Sequence, residues 1–194
     1  MGKRSEQIVK QREKILNVSL KLFVQKSYHG TTVRDIARKA EISIGLLFHY
    51  FPTKEDILKE LLRLSELGIS NVLELLSLNE NPLIVFEKVT KMVFESYSDE
   101  NRRYLYLLVN QVITFDTIPI EIKKIRSFNK TIEASIPVII KGQEKKIIKK
   151  GNPQALSLAF WGAIQGIAEL LCWFPSSAVV PNYKDVVDIL RLKT

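Results

Sequence analysis

The sequence predicts an all-α fold of about nine helices, with a small domain over residues 1–53 and a larger one over residues 54–194. Apolar residues recur at helical spacing along most of the chain, and no segment shows the alternation typical of strands. Charge divides the chain at the same point. Residues 1–53 hold ten Lys or Arg against four Asp or Glu, whereas residues 54–194 hold 19 against 17. Two helical domains with different surfaces follow from this pattern.

Composition favours a cytoplasmic protein without membrane contact. Of the 194 residues, 46% are hydrophobic and 26% are charged, which is typical of a folded globular protein. The single cysteine, Cys172, excludes an internal disulfide and suits a reducing compartment. The segment MGKRSEQIVKQREK lacks the apolar core of a signal peptide. The longest weakly polar run, residues 155–168, is 14 residues long and too short to span a bilayer.

Residues 5–26 are predicted to form a first amphipathic helix. The segment SYHGTT ends it. Thr32 then caps a short second helix, because Asp35 three positions later completes a capping box. Apolar residues of the first helix recur at Ile8, Ile15, Leu16, Leu22 and Phe23. The apolar stripe of the second is Val33, Ile36, Ala37 and Ala40.

The segment SIGLLFHYF, residues 43–51, is predicted to be a third short helix. Ser43 is a favourable N-cap and Pro52 ends the helix, after which Thr53 and Asp56 can cap a fourth helix that begins at Lys54. The i, i+3, i+4, i+7 spacing directs four residues inward, namely Ile44, Leu47, Phe48 and Phe51. The opposite face carries Gly45, Leu46, His49 and Tyr50. With the tight link AEIS, helices two and three match the helix-turn-helix pattern, whose second helix enters the DNA major groove. The basic surface favours that interpretation over a simple packing unit.

Residues 28–58, YHGTTVRDIARKAEISIGLLFHYFPTKEDIL, resemble the N-terminal signature of the tetracycline-repressor (TetR) family of bacterial transcriptional regulators. The resemblance is carried by the paired threonines before helix two, by DIA within it, by Ser43, Gly45 and Leu47, by HYF, and by Lys54 after PT. The family implies a three-helix DNA-binding domain, a helical effector-binding and dimerisation domain, and a homodimer. Its partners would be a palindromic double-stranded DNA operator and a small-molecule effector that releases the DNA.

By position, the resemblance implies ten DNA-facing residues at the starts of helices two and four and along helix three. They are Thr32, Val33, Arg34, Ser43, Gly45, Leu46, Phe48, His49, Tyr50 and Lys54. Thr32 and Lys54 would lie where a phosphate is held, because helix N-termini expose N–H groups. Gly45 would let the helix backbone approach the groove wall.

Five positions depart from the family pattern, among them Ile44, which replaces a frequently basic or polar residue. Ser27 and Glu41 stand where glycine is common, and glycine suits such turns because it accepts a positive φ. Leu46 replaces a small polar residue, and Phe48 replaces a tyrosine and lacks its hydroxyl. We therefore expect helix three to rely on apolar contact with thymine methyl groups, chiefly through Leu46, and on indirect readout.

Six further helices are predicted, over residues 56–78, 83–97, 101–115, 120–141, 153–173 and 185–192. Pro137 should kink or split the fourth of these. The fifth has a stripe of small residues beside a stripe of large apolar ones, so both faces need covering. We expect the small stripe to form a homodimer interface, with a central helix of a monomer as the alternative. The stripe consists of Ala155, Ala159, Gly162 and Gly166.

An effector pocket is predicted among aromatic residues of the larger domain, although aromatics at helical spacing equally often form core. The candidates are Tyr97, Tyr104, Phe115, Phe128, Phe160 and Trp161. No charge cluster accompanies them, which favours an apolar effector. Catalytic residues, metal ligands and cofactors are not predicted, because both histidines lie in the small domain and no ligand spacing occurs.

The sequence therefore favours a ligand-responsive dimeric transcriptional regulator, with repression as the expected sign. The alternative is an apolar small-molecule binding protein of the same fold with weak or vestigial DNA binding. Glu41 and the scarcity of hydrogen-bond donors in helix three would fit that alternative. No enzymatic activity is expected.

Overall fold

The computed structural model describes residues 3–114, 127–174 and 179–192. Over these ranges the backbone forms nine helices and no strand, with one isolated antiparallel bridge between Ile148 and Arg191. The all-α prediction is confirmed. The helices are α1 Lys3–Gly30, α2 Val33–Ala40, α3 Ile44–Tyr50, α4 Lys54–Leu76, α5 Pro82–Ser96, α6 Glu100–Thr114, α7 Ser127–Glu144, α8 Pro153–Trp173 and α9 Tyr183–Val187.

The three predicted N-caps begin α2, α3 and α4. In each case a side-chain hydroxyl accepts a hydrogen bond from a first-turn amide, which removes one of the unpaired N–H groups of the helix start. For α2 and α4 the acidic side chain in turn accepts a hydrogen bond from the N–H of the cap residue, which completes a capping box. The donor and acceptor pairs are Asp35 N to Thr32 Oγ1, Leu46 N to Ser43 Oγ and Asp56 N to Thr53 Oγ1, each at 3.1 Å.

Both positions where glycine is common in the family have a positive φ. Ser27 has φ 65° and ψ 162°, and this residue breaks α1 where the sequence predicts its end. Glu41 has φ 57° and ψ 45°, a left-handed conformation that ends α2. Its carboxylate accepts a 2.9 Å hydrogen bond from Lys14 Nζ. The turn of the helix-turn-helix therefore keeps the backbone that glycine favours, with a glutamate in it.

The apolar interior consists of two clusters. The first joins α1, α2 and α3 to the start of α4 and to α6, with Phe23, Leu47, Ile57 and Leu108 fully buried. The second joins the end of α4 to α5, α7, α8 and α9. Helices α1–α3 thus share their core with α4 and α6, so side chains from both sides of the predicted boundary at residue 53 fill one interior.

Pro137 does not split its helix. It is exposed on α7, which continues on both sides of it as one element. The part of this predicted helix over residues 120–126 lies outside the described residues. Near the end of α7, Gly142 is held against Ile148, since a Cβ built at Gly142 would lie 2.5 Å from Ile148 Cδ1. The glycine therefore permits the close approach of the segment after α7.

Helix α8 is longer than the apolar run seen in the sequence. It has 21 residues, and an 18-residue window reaches a mean hydropathy of 1.5, enough by length and composition alone to cross a membrane. Of that window, 39% is buried inside the protein. This is weak evidence for a membrane span, because a core helix meets the same criterion. One face, with Phe160, Ile164 and Ala168 fully buried, packs into the second cluster.

Candidate nucleic-acid interface

Helix α3 is anchored by a narrow buried face. Leu47 and Phe51 are almost inaccessible, whereas Ile44 is 41% exposed and Phe48 is 44% exposed. The prediction that Ile44 and Phe48 face inward is therefore wrong. At 100° per residue these two lie about 60° and 100° from Leu47 around the helix axis. A seven-residue helix that is buried through one turn leaves such flanking positions in solvent.

The predicted outward face is largely exposed. Gly45, Leu46 and His49 are exposed, with 39% exposure for Leu46, while Tyr50 is half-buried against the first cluster. The rings of His49 and Tyr50 make an edge contact at 5.6 Å between centroids. Around the helix axis, Gly45 and His49 occupy the middle of this face. Leu46 lies on one flank and Phe48 on the other.

Nothing in the fold requires glycine at position 45. A Cβ built there would find no atom within 4 Å. Glycine lowers helix stability relative to alanine, so its presence on this face is a disadvantage for the isolated chain. Its effect is to leave the middle of the α3 surface without a side chain, which allows another molecule to approach the backbone closely.

The start of α2 presents a cation beside this face. Thr32 and Arg34 are exposed, and Val33 is half-buried against the first cluster. Arg34 forms no hydrogen bond or ion pair with any residue that the structure describes. By contrast, Arg38 pairs with Asp35 at 2.7 Å. The hydrogen bonds from Thr32 are the main reason why the pKa of the Asp35 carboxyl lies below its ordinary value.

The side chain of Lys54 turns inward. Its ammonium donates to the carbonyl oxygens of Tyr28 at 2.8 Å and Thr31 at 2.9 Å, and it lies 4.1 Å from the centre of the Tyr28 ring. Burial lowers the pKa of this amine below its ordinary value. Lys54 therefore fastens the start of α4 to the turn between α1 and α2, and contact with DNA at this residue stays a prediction.

Arg12, a residue not predicted from the sequence, holds α1 against α4 and the end of α3. Its guanidinium donates to Glu60 Oε1 at 2.8 Å and stacks on the Phe51 ring at 4.9 Å. Hydrogen bonds from Arg63 and then from Arg12 lower the pKa of the Glu60 carboxyl to about 2. No local pattern identifies Arg12, because its partners lie 39 and 48 positions away in the chain.

The predicted pocket residues lie in two different clusters. Tyr104 belongs to the first and Tyr97, Phe160 and Trp161 to the second, all of them buried. Tyr97 donates to the carbonyl of Ile164 at 3.3 Å, and Trp161 donates to Ser135 Oγ at 2.9 Å. These contacts are those of core residues. The remaining two candidates are not described, because Phe115 and the side chain of Phe128 lie outside the described residues.

The small-residue stripe of α8 faces solvent. Ala155, Ala159 and Gly162 are exposed and Gly166 is half-buried. A Cβ built at either glycine would meet no atom within 4 Å. Exposed apolar side chains adjoin the stripe, with Leu158 near the start of the helix and Leu170, Trp173 and Phe174 at its end. In the described parts of the chain, no group of three or more His, Cys, Asp or Glu side chains could hold a metal ion.

Comparison with known proteins assigns the N-terminal helices. The family model for bacterial regulatory proteins of the tetR family matches residues 15–61, from the middle of α1 to the first turns of α4. The N-terminal helices therefore match the tetR family of bacterial regulatory proteins. Among the similar proteins, YuxN of Bacillus subtilis, an uncharacterised HTH-type transcriptional regulator, is 28% identical over 166 residues, which is 84% of this chain and 54% of YuxN.

Two further comparisons extend this assignment. The HTH-type transcriptional regulator AcrR of Shigella flexneri is 32% identical over 111 residues, covering 55% of this chain and 51% of AcrR. The chain thus spans about half the length of the curated relatives it matches. The crystal structure of the MbdR regulator from Azoarcus sp. CIB superposes with a TM-score of 0.77 at 22% identity, over 95% of this chain and all of that one. This chain therefore shares the fold of the MbdR regulator over most of its length.

Proposed function

We propose that this protein is a ligand-responsive homodimeric repressor of the TetR family that binds a palindromic operator through α3. The carrying observation is the exposed face of α3 beside the unpaired guanidinium of Arg34. Lys39 on α2 is also exposed and forms no ion pair with a described residue. Cations that no carboxylate neutralises are available to the phosphates on either side of a groove. The ten predicted DNA-facing residues remain the candidate interface.

A homodimer is supported by the exposed stripe of α8. Two glycines with open space above them in a helix interior lower the stability of the isolated chain, yet they suit a partner helix that packs closely. Two-fold symmetry would present two copies of α3 to one duplex. Half-sites should then lie about 34 Å apart, one turn of B-DNA, or a multiple of that distance.

Selection of duplexes from a random library by the purified protein tests DNA binding directly. Affinity for the recovered duplex should fall steeply between about 50 and 200 mM salt, because bound phosphates release counterions. Arg34→Ala should reduce the slope of log affinity against log salt by about 2 per dimer, one per protomer. Lys91→Ala, at an exposed lysine of α5, is the matched control and should leave the slope unchanged. Recovery of no duplex would overturn the proposal.

A second candidate is an effector-binding protein of the same fold with vestigial DNA binding. The inward side chain of Lys54 and the few hydrogen-bond donors on α3 favour it. The left-handed conformation of Glu41 argues against it, since the turn that positions α3 is intact. In either case we propose a small, apolar effector, a cytoplasmic location and no enzymatic activity, in keeping with relatives that are transcriptional regulators.

A further inference from the structure

Helix α3 exposes three large apolar side chains that its fold does not bury. Building on the proposed DNA binding, we propose that Ile44, Leu46 and Phe48 recognise the C5-methyl groups of thymine in the major groove. All three are exposed, with 41% of the surface of Ile44, 39% of Leu46 and 44% of Phe48 accessible to solvent. Large apolar side chains held in water on a short helix indicate a contact that removes them from water.

Their positions on α3 suit a groove with bases on both sides. Ile44 and Phe48 are one turn apart on one flank, and Leu46 lies on the other flank. Between them lies Gly45, which has no side chain, so the helix backbone is the surface at the centre of this face. A helix shaped in this way can lie deep in the groove and bring apolar groups against both walls, where thymine methyl groups project.

The same helix has few means of reading bases by hydrogen bonds. The sequence of α3, IGLLFHY, contains no Arg, Lys, Asn or Gln, the side chains that make bidentate contacts to guanine or adenine. The Ser43 hydroxyl oxygen already accepts a bond from Leu46 N, and Tyr50 is half-buried. His49 is the exposed polar side chain of this helix. Discrimination between bases therefore depends mainly on apolar contact.

Charge identifies the occupant of this surface as DNA and not as another apolar protein face. Arg34 and Lys39 stand on the adjacent α2, exposed and without ion-pair partners among the described residues. An apolar protein partner would offer no negative charge to these two cations at the edge of the contact. A duplex supplies phosphates for the cations and methyl groups for the apolar side chains at the same time.

Replacement of thymine by deoxyuridine in the selected duplex removes only the C5-methyl group and keeps every base-pairing group. Each contacted methyl should contribute about three- to fivefold in affinity, from the free energy of burying one carbon. Uracil substitution in both half-sites should therefore weaken binding by at least that factor. Substitution outside the half-sites should not.

The protein variants locate the effect. In Leu46→Ala and Phe48→Ala, the ratio of thymine to uracil affinity should fall toward one at the positions each side chain contacts. Leu67→Ala, at an exposed leucine of α4, should keep the full ratio. Equal affinity for thymine and uracil duplexes, with steep salt dependence retained, would overturn this inference and leave the proposed function standing. A ratio unchanged in both α3 variants would overturn it too. Selection of no duplex at all would overturn both.

Discussion

The ammonium of Lys54 donates to the carbonyl of Tyr28 at 2.8 Å and lies 4.1 Å from the centre of the ring of the same residue. The backbone of Tyr28 belongs to the irregular last turn of α1, just after the break at Ser27. Lys54 begins α4. This contact holds the turn between α1 and α2, and with it the start of α2, against the first turn of α4.

Lys54→Met is expected to destabilise the protein. The change leaves two part-buried carbonyl oxygens without their charged donor and removes the cation–π contact, so the free energy of unfolding should fall by about 1–2 kcal/mol. Lys59→Met is the control, because its ion pair with Glu55 lies on the surface and contributes less than about 0.5 kcal/mol. Urea unfolding measures both. Equal stability of the two variants would contradict the structural role.

Acid should weaken the contact between α1 and α4 at Glu60. The pKa of this carboxyl is about 2 in the folded protein and 4.5 ordinarily, so its ion pairs stabilise fully above about pH 4.5 and lose that effect as pH falls toward 2. Both arginine partners are partly exposed, so we expect Glu60→Gln to cost only about 1 kcal/mol at pH 7. The difference from the parent should shrink between about pH 4.5 and pH 3 in denaturant unfolding. A stability difference that does not depend on pH would contradict the ion-pair explanation. Glu95→Gln is the control and should be as stable as the parent protein at every pH.

Gly45→Ala should separate stability from DNA binding. Since a Cβ at this position meets nothing in the free chain, the melting temperature should be unchanged or slightly raised. DNA affinity should fall by about tenfold, because the methyl group projects from the middle of the face that approaches the groove. Gly68→Ala, at an exposed glycine in α4 with the same open surroundings, should raise the melting temperature without changing DNA affinity. Undiminished binding by Gly45→Ala would show that α3 does not lie close to DNA at this residue.

Glu41→Gly should stabilise the helix-turn-helix. A left-handed conformation is unfavourable for a non-glycine residue, whereas the ion pair with Lys14 is exposed to solvent and contributes little. A net gain in stability is expected in thermal or urea unfolding. Glu41→Ala is the comparison, since it removes the same ion pair and keeps the unfavourable conformation, and it should be no more stable than the parent. A glycine variant no more stable than the alanine variant would mean that the turn is not strained.

Gly162→Leu should dissociate the proposed homodimer while leaving the subunit folded. A larger side chain has open space on the isolated chain but would hold a second α8 away. Analytical ultracentrifugation should show a shift to the monomer, with helix content by circular dichroism retained. Gly68→Leu supplies the matched control on α4 and should sediment like the parent. If Gly162→Leu is still a dimer, the dimer interface does not include this face of α8.

Local rules were enough to predict the helices and their caps. Thr32, Ser43 and Thr53 cap their helices as predicted, because an N-cap depends on residues within one turn. The predicted start and end of α8 also agree with the structure, at Pro153 and Trp173. The family pattern, in which glycine is common at Ser27 and Glu41, left open whether the turn at Glu41 keeps its backbone or differs slightly, and the structure has a positive φ at both residues.

Contacts between distant segments could not be predicted in this way. Periodicity placed Ile44 and Phe48 inward because it assumes a wide buried face, whereas α3 is covered only around Leu47 and Phe51. The inward turn of Lys54 and the bracing role of Arg12 depend on residues far away in the sequence. The predicted pocket mixed residues of two clusters, since aromatic spacing does not reveal which interior a side chain joins.

The sharing of one hydrophobic interior by α1–α3, α4 and α6 limits how the protein can be re-engineered. A fragment of residues 1–53, here called the headpiece, would lack Ile57, Leu61 and Leu108, which belong to the same buried cluster as α2 and α3. It should therefore be unfolded in isolation. Chimeras that transplant the operator preference of one relative into another therefore have two routes. Either only the solvent-facing side chains of α3 are exchanged, or the headpiece is moved together with the surfaces of α4 and α6 on which it rests.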